Sequence, residues 1–261
     1  MFSFSCFVSA YGQPFRQFAG AGEAGMGYAC IMKSSFWASF HNPANLAGIR
    51  KITAGINYDD RYRINELGTK TAAIAVPFGK TSLGAIYSHF GYTDYSRQMA
   101  AISCGLPLSE NILAGVQIDY YSEKTWGEYE DTQQITFETG LTAHLNKNVI
   151  IAIHAYNPVP QSLRKSFMPS ALRAGSGIIL DENVFAGAEI EMHTGSRPLL
   201  RTGIEYEALK KLFLRCGFCT ENTSFSFGTG YALDFMKIDL AFSTHERLGI
   251  TSSASLIFII K

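Results

Sequence analysis

The sequence predicts an all-β protein: a single antiparallel transmembrane β-barrel of about fourteen strands with an N-terminal hatch inside its lumen. Three observations lead there. Large apolar residues recur at every second position through most of the chain, the period of a strand. Short polar turns alternate with longer loops between these stretches, which is the habit of membrane barrels. The composition is also poor in charge, 17% Asp, Glu, Lys and Arg against roughly 25% in a soluble domain. Glycine (24), Phe (19) and Tyr (13) are plentiful instead.

Taken in order, residues 1–10, MFSFSCFVSA, have the apolar core and small-residue end of a secretory signal cut after Ala10, without its usual basic start. Residues 11–49 do not alternate and are rich in Gly, Ala and aromatics. Residues 50–261 are expected to form the barrel. Its strands are read at 52–58, 74–78, 83–87, 99–108, 112–120, 135–145 and 149–155, then at 172–180, 184–192, 200–206 and 212–218. The clearest pair follows. Phe225, Phe227, Tyr231, Leu233 and Phe235 alternate with Ser224, Ser226, Gly228, Gly230, Ala232 and Asp234. After a turn placed near Met236-Lys237, Ile238, Leu240 and Phe242 alternate with Asp239, Ala241 and Ser243. Residues 252–260 close the chain. Short turns fall at 79–80, 109–111, 146–148, 181–183, 209–211 and 235–237, and the longest loop at 157–170.

Polarity assigns the faces. An Arg or Lys facing mid-membrane lipid costs ~2–4 kcal/mol, so the apolar face meets outer-membrane lipid. The opposite face carries Asp119, Glu138, Arg173, Glu189, Glu191, Arg201, Glu205, Arg215, Asp234 and Asp239, with Asp59 and Glu207. It must look into the lumen, and the mixture of signs predicts ion pairs across it. The many glycines on that face leave room for an occupant. Residues 11–49 are the only candidate.

Other functions are disfavoured. The 22 basic residues balance 22 acidic ones, which removes the electrostatic case for nucleic acid. No apolar run approaches the ~18 residues of a membrane helix. GAGEAG, from Gly20 to Gly25, fits G-x-G-x-x-G but has no strand before it and no βαβ context, so no cofactor follows from it. The six histidines show no metal spacing. Cys216 and Cys219, three apart in a strand, point to opposite faces and cannot clamp one zinc. Ser162 to Lys165 matches S-x-x-K without its companion motifs. Ser243 and His245 share a face near the rim but make only part of a triad, so no enzyme is expected.

Residues 18–48, FAGAGEAGMGYACIMKSSFWASFHNPANLAG, resemble the N-terminal segment of the FadL-like outer-membrane barrels, and within them the PorV/PorQ branch of Bacteroidetes-type bacteria. The resemblance rests on Gly20, Gly22, Gly25, Met26 and Gly27, leading to Phe40, Asn42, Pro43, Ala44, Leu46 and Gly48. It implies that this segment folds as the hatch of a fourteen-strand barrel in the outer membrane of a Gram-negative cell. It also implies a non-enzymatic subunit of a type IX-like secretion or assembly complex, partnered by a larger outer-membrane protein. The alternative it implies is a FadL-like channel for hydrophobic small molecules such as fatty acids. The chain departs from the pattern at Lys33-Ser34-Ser35, where an acidic residue is usual, and in having short outer loops.

Overall fold

The computed structural model describes residues 18–125, 131–158, 169–193 and 197–260. The expected signal at 1–10, the start of the N-terminal segment at 11–17 and most of the longest loop lie outside the described residues. Fourteen strands follow one another in chain order. They are β1 Ile52–Asp60, β2 Thr69–Phe78, β3 Thr81–Gly91, β4 Ser96–Pro107, β5 Ile112–Lys124, β6 Thr132–His144 and β7 Val149–Tyr156. The second half is β8 Ala171–Asp181, β9 Val184–His193, β10 Leu199–Leu209, β11 Leu212–Cys219, β12 Ser224–Ala232, β13 Met236–His245 and β14 Gly249–Ile260. Each strand pairs antiparallel with its sequence neighbours, and β14 pairs with β1 from Ile52↔Ile260 to Asp60↔Ser252. The sheet therefore closes on itself, and each described strand has a partner on both sides, although the ladder between β6 and β7 begins only at Glu138↔Tyr156.

The two-residue period sorts the side chains by face. Phe225, Phe227 and Leu240 are 50%, 59% and 45% exposed, whereas Ser226 and Ala241, one position away on the same strands, are 3% and 1%. The large apolar residues thus point away from the barrel and the small and polar ones into it.

One hairpin differs from the sequence reading. β12 ends at Ala232, which pairs with Lys237, and β13 starts at Met236. The turn is therefore Leu233-Asp234-Phe235, closed by the Leu233 N–H donating to the Met236 carbonyl at 2.7 Å. Asp234, expected in the lumen, is a correction: it stands on the turn with its side chain 90% exposed and pairs with Lys211.

The described part of the N-terminal segment is enclosed by the barrel. It opens with a short helix, α1 (Ala21–Gly25), followed by 3₁₀ turns at Trp37–Phe40 and Pro43–Gly48. The second 3₁₀ turn has a readable start: Asn42 caps it by accepting from the Ala44 N–H at 3.1 Å, and Pro43 supplies a helical φ where its missing N–H costs nothing. Phe36, Trp37, Phe40 and Leu46 form an apolar cluster with Met99, Tyr121, Tyr156 and Ile257 of the wall. Burying each such side chain stabilises by ~1.5–3 kcal/mol.

Glycines decide how closely segment and wall approach. Gly105, Gly115 and Gly140 are paired neighbours on β4, β5 and β6. A Cβ on Gly105 would lie 2.7 Å from the Ala47 nitrogen, the Leu46 Cβ and the Pro43 oxygen, and one on Gly115 would enter the Pro43–Ala44 peptide. A second row, Gly177, Gly187, Gly203 and Gly217, crosses β8 to β11 and is overlain by Met26, Gly27, Ala29 and Met32.

Gly105→Ala and Gly115→Ala are each expected to cost about 1–3 kcal/mol through overpacking. Gly48→Ala, whose new Cβ would meet only Ser34 at 3.8 Å, is expected to stay within about 0.5 kcal/mol of wild type. Denaturant unfolding in detergent micelles measures the difference, and equal midpoints for all three variants would contradict the close contact.

Candidate functional site: the lumen and its mouth

Two buried charge networks hold the segment. On β8, Arg173 donates Nε to Glu189 at 2.8 Å, Nη1 to the His41 carbonyl at 3.2 Å and Nη2 to the Tyr28 carbonyl at 3.3 Å. Glu189, on β9, accepts from the Cys30 and Ile31 N–H groups at 3.2 and 3.4 Å. One wall ion pair therefore satisfies four backbone groups of the segment. Glu191 pairs with Arg201 and lies 3.7 Å from Arg173, which joins all four charges into one network. The second network centres on Arg215, which bridges Glu205 and Asp239 beside Gly22, while Lys33 of the segment reaches Glu205 at 2.6 Å. Charges removed from water cost several kcal/mol each unless paired and hydrogen-bonded. Here each of these charges has an opposite partner.

In the other half of the lumen the segment is held by side-chain amides. Asn42 and Asn45 both donate to the Ile31 carbonyl at 2.8 Å, and both bond Thr142 on β6. Asp119 accepts from Gln117 at 2.8 Å, and Glu138 meets His154 at 2.7 Å. Of the glycines singled out in the sequence, Gly25 lies against Gly228, and Gly20 and Gly27 adopt φ of 102° and 62°. Gly22 sits beside Arg215, and Gly48 is at the exposed end of its 3₁₀ turn. Phe40, Asn42, Pro43, Ala44 and Leu46 are all buried.

Above the segment, at the end of the barrel with the longer loops, lies a cavity of about 460 Å³. Phe18, Gly27 and Tyr28 form its floor; its walls include Asp59 near the end of β1, Arg61 and Tyr62 just after it, and Phe90, Tyr95 and Arg97 around the β3–β4 connection. Arg61 lies over Phe90 at 5.1 Å, Arg97 over Tyr95 at 5.4 Å and Arg201 over Phe18 at 5.3 Å. Arg97 also pairs with Glu123 at 3.0 Å, and the Tyr95 hydroxyl donates to the same carboxylate at 2.7 Å. Burial first, and then that hydrogen bond, push the Tyr95 hydroxyl up to about 12. Burial also raises Tyr62. Ser243 and His245 line the cavity too, but the His245 Nδ1 accepts from the Arg247 and Leu248 N–H groups at 3.1 and 3.3 Å and closes its own turn.

Sequence reading missed this cavity, because its lining comes from strand ends far apart along the chain. The one available signal was that Asp59 and Ser243 fall on the inward parity near the longer loops. Cys216 is exposed and Cys219 buried, so they do face opposite ways. Among the described residues no group of three or more His, Cys, Asp or Glu is placed to hold a metal.

No protein-family model and no curated protein matches the chain. Solved structures do. A FadL homologue of Pseudomonas aeruginosa superposes with a TM-score of 0.71 at 12% identity, covering 94% of this chain and 99% of that one. The Pseudomonas putida toluene transporter TodX gives 0.61 at 12% identity, covering 93% and 96%. The outer membrane protein Omp33 of Acinetobacter baumannii gives 0.53 at 12% identity, covering 80% and 97%. At such identities the likeness is one of fold: this chain has the barrel architecture of the FadL-type proteins.

Arg173→Ala leaves Glu189 buried with only Arg201, 3.7 Å away, and takes a donor from the His41 and Tyr28 carbonyls. It is expected to cost about 3–5 kcal/mol, read from denaturant unfolding in lipid vesicles, and a loss below 1 kcal/mol would contradict the anchoring role. Tyr95 has a raised folded pKa, so its contribution to stability is full below pH ~10 and is lost as pH climbs toward about 12. Ultraviolet titration of wild type against Tyr95→Phe should show one tyrosine ionising later than the exposed ones. An unchanged high-pH end to the curve would contradict this.

Proposed function

We propose that this chain is an integral, non-enzymatic β-barrel of the Gram-negative outer membrane. In this reading its N-terminal segment is a hatch, and small molecules bind at the mouth above it, as at the intake of a FadL-like passage. The membrane reading is supported by the outward face. The outward run from Ile112 to Tyr120 on β5 covers ~27 Å along the strand at ~3.4 Å per residue. With strands tilted by ~35–45° it spans ~20 Å, close to the ~25 Å apolar band of such barrels. Phe78, Leu108, Leu145, Leu180, Leu209 and Phe235, one beside each short turn, are all exposed apolar residues and mark the lower edge of that band.

The observation that carries the reading is the position of the mouth cavity, which rests directly on Phe18, Gly27 and Tyr28 of the hatch. A ligand there touches the hatch itself, whose displacement would open the lumen. TodX is described as a toluene transporter and a monoaromatic hydrocarbon channel, and its shared fold favours passage of small molecules with an apolar part, the FadL-like alternative raised by the sequence. Among the described strands every neighbouring pair is hydrogen-bonded, so passage requires the hatch to shift.

That closed ladder, with the hatch held by buried ion pairs, also favours a second reading: a PorV/PorQ-like subunit of a type IX-like secretion or assembly complex in a Bacteroidetes-type outer membrane. Mild detergent extraction from native membranes decides between the two. A stoichiometric larger outer-membrane protein in the eluate supports the subunit role, and a solitary barrel supports the passage.

In planar bilayers the wild-type protein is expected to give no steady ionic conductance, because the hatch fills the lumen. A stable open-pore conductance would contradict the hatch.

A further inference from the structure

Resting on the mouth-binding reading, the geometry points to a neutral, polyhydroxylated ring as the ligand of the mouth cavity, a mono- or disaccharide rather than a hydrocarbon. The cavity has two unlike walls. On one, Ser226, Ser243 and Thr251 occupy paired positions of β12, β13 and β14 and line the cavity as a row of hydroxyls. On the other, the rings of Tyr62, Phe90 and Tyr95 line the same space. Hydroxyls both donate and accept, so a row of them matches a ligand edge that does the same. Aromatic faces are electron-rich and receive the C–H face of a sugar ring.

The charges point the same way. Arg61 and Arg97 are held over aromatic rings, so their N–H edges are oriented before a ligand arrives. Three arginines, Arg61, Arg97 and Arg201, line the cavity with two carboxylates, Asp59 and Glu221. Arg97 is already paired with Glu123 and Arg201 with Glu191, which leaves little net charge to select an anion or a cation. A hydrocarbon would strip water from these groups and return no hydrogen bond, which works against binding. A sugar replaces that water with its own hydroxyls. The volume of about 460 Å³ falls within the ~300–1,000 Å³ of small-molecule sites.

The test uses the full chain in lipid nanodiscs or a sugar-free detergent, because alkyl-maltoside detergents carry the proposed ligand class. Saturation-transfer NMR and calorimetry are run with glucose, galactose, N-acetylglucosamine and maltose, and in parallel with toluene and benzoate. At least one saccharide is expected to bind. Arg61→Ala and Ser243→Ala should each weaken it tenfold or more with an unchanged thermal midpoint. Binding of toluene or benzoate with no saccharide would overturn the sugar assignment and leave the mouth-binding reading standing. Saccharide binding that both variants leave unchanged would place the site elsewhere and overturn the assignment. No binding by any of the six compounds would remove both.

Discussion

The structure depends on one contact: the backbone of residues 26–47 lying against inward glycines of the wall. A barrel of this girth encloses more space than its own side chains fill, and water in that space would leave Arg173, Glu189 and Arg215 solvated rather than locked. The glycine rows let the segment come close enough for Arg173 to reach the Tyr28 and His41 carbonyls while it stays paired with Glu189. Any side chain at Gly115 or Gly217 would hold the segment off the wall. The Lys33–Glu205 pair, the Asn42 and Asn45 bonds to Thr142 and the aromatic cluster around Trp37 all require that approach.

The interior that results is polar and the exterior oily, the reverse of a soluble domain. Buried ion pairs are poor sources of stability by themselves, because desolvation offsets most of the Coulombic gain. Their value here is positional. Wrong docking of the segment would leave the Tyr28 and His41 carbonyls, the Cys30 and Ile31 N–H groups and Lys33 without these partners in a water-poor lumen, a heavy penalty against alternative arrangements. The segment is held by charge on the β8–β13 side and by apolar packing and amide bonds on the β3–β6 side. The mouth cavity lies above this assembly, over Phe18 and Tyr28, whose rings contact each other and His41.

Much of this was legible in the sequence, because both determinants of the wall are local. Alternation fixes the faces of Phe225, Phe227 and Leu240, and turn residues such as Gly79-Lys80 fix the strand ends. The sequence reading failed at Asp234, where the three residues from Leu233 to Phe235 were counted as further alternation although the hairpin had already turned. The partners of the charged residues were not legible. That Arg173 would meet Glu189, on the next strand, was open to a register argument; that it would also meet Tyr28 and His41 was not, since those contacts span more than 130 positions. The mouth cavity was hidden for the same reason. Arg61, Tyr95 and Glu221 come from three separate connections that only barrel closure brings together.

The central claim is an inside-out barrel: lipid on the large apolar side chains, protein on the glycines and charges. Site-directed spin labelling of successive positions from Phe225 to Tyr231 in lipid vesicles tests it most directly, with dissolved oxygen reporting lipid contact and a water-soluble nickel chelate reporting aqueous contact. The account predicts an accessibility that alternates with a period of two, Phe225, Phe227 and Tyr231 open to oxygen and closed to nickel, Ser226 and Gly228 closed to both. Labels at Phe225 and Phe227 shielded from oxygen, or open to nickel, would contradict it.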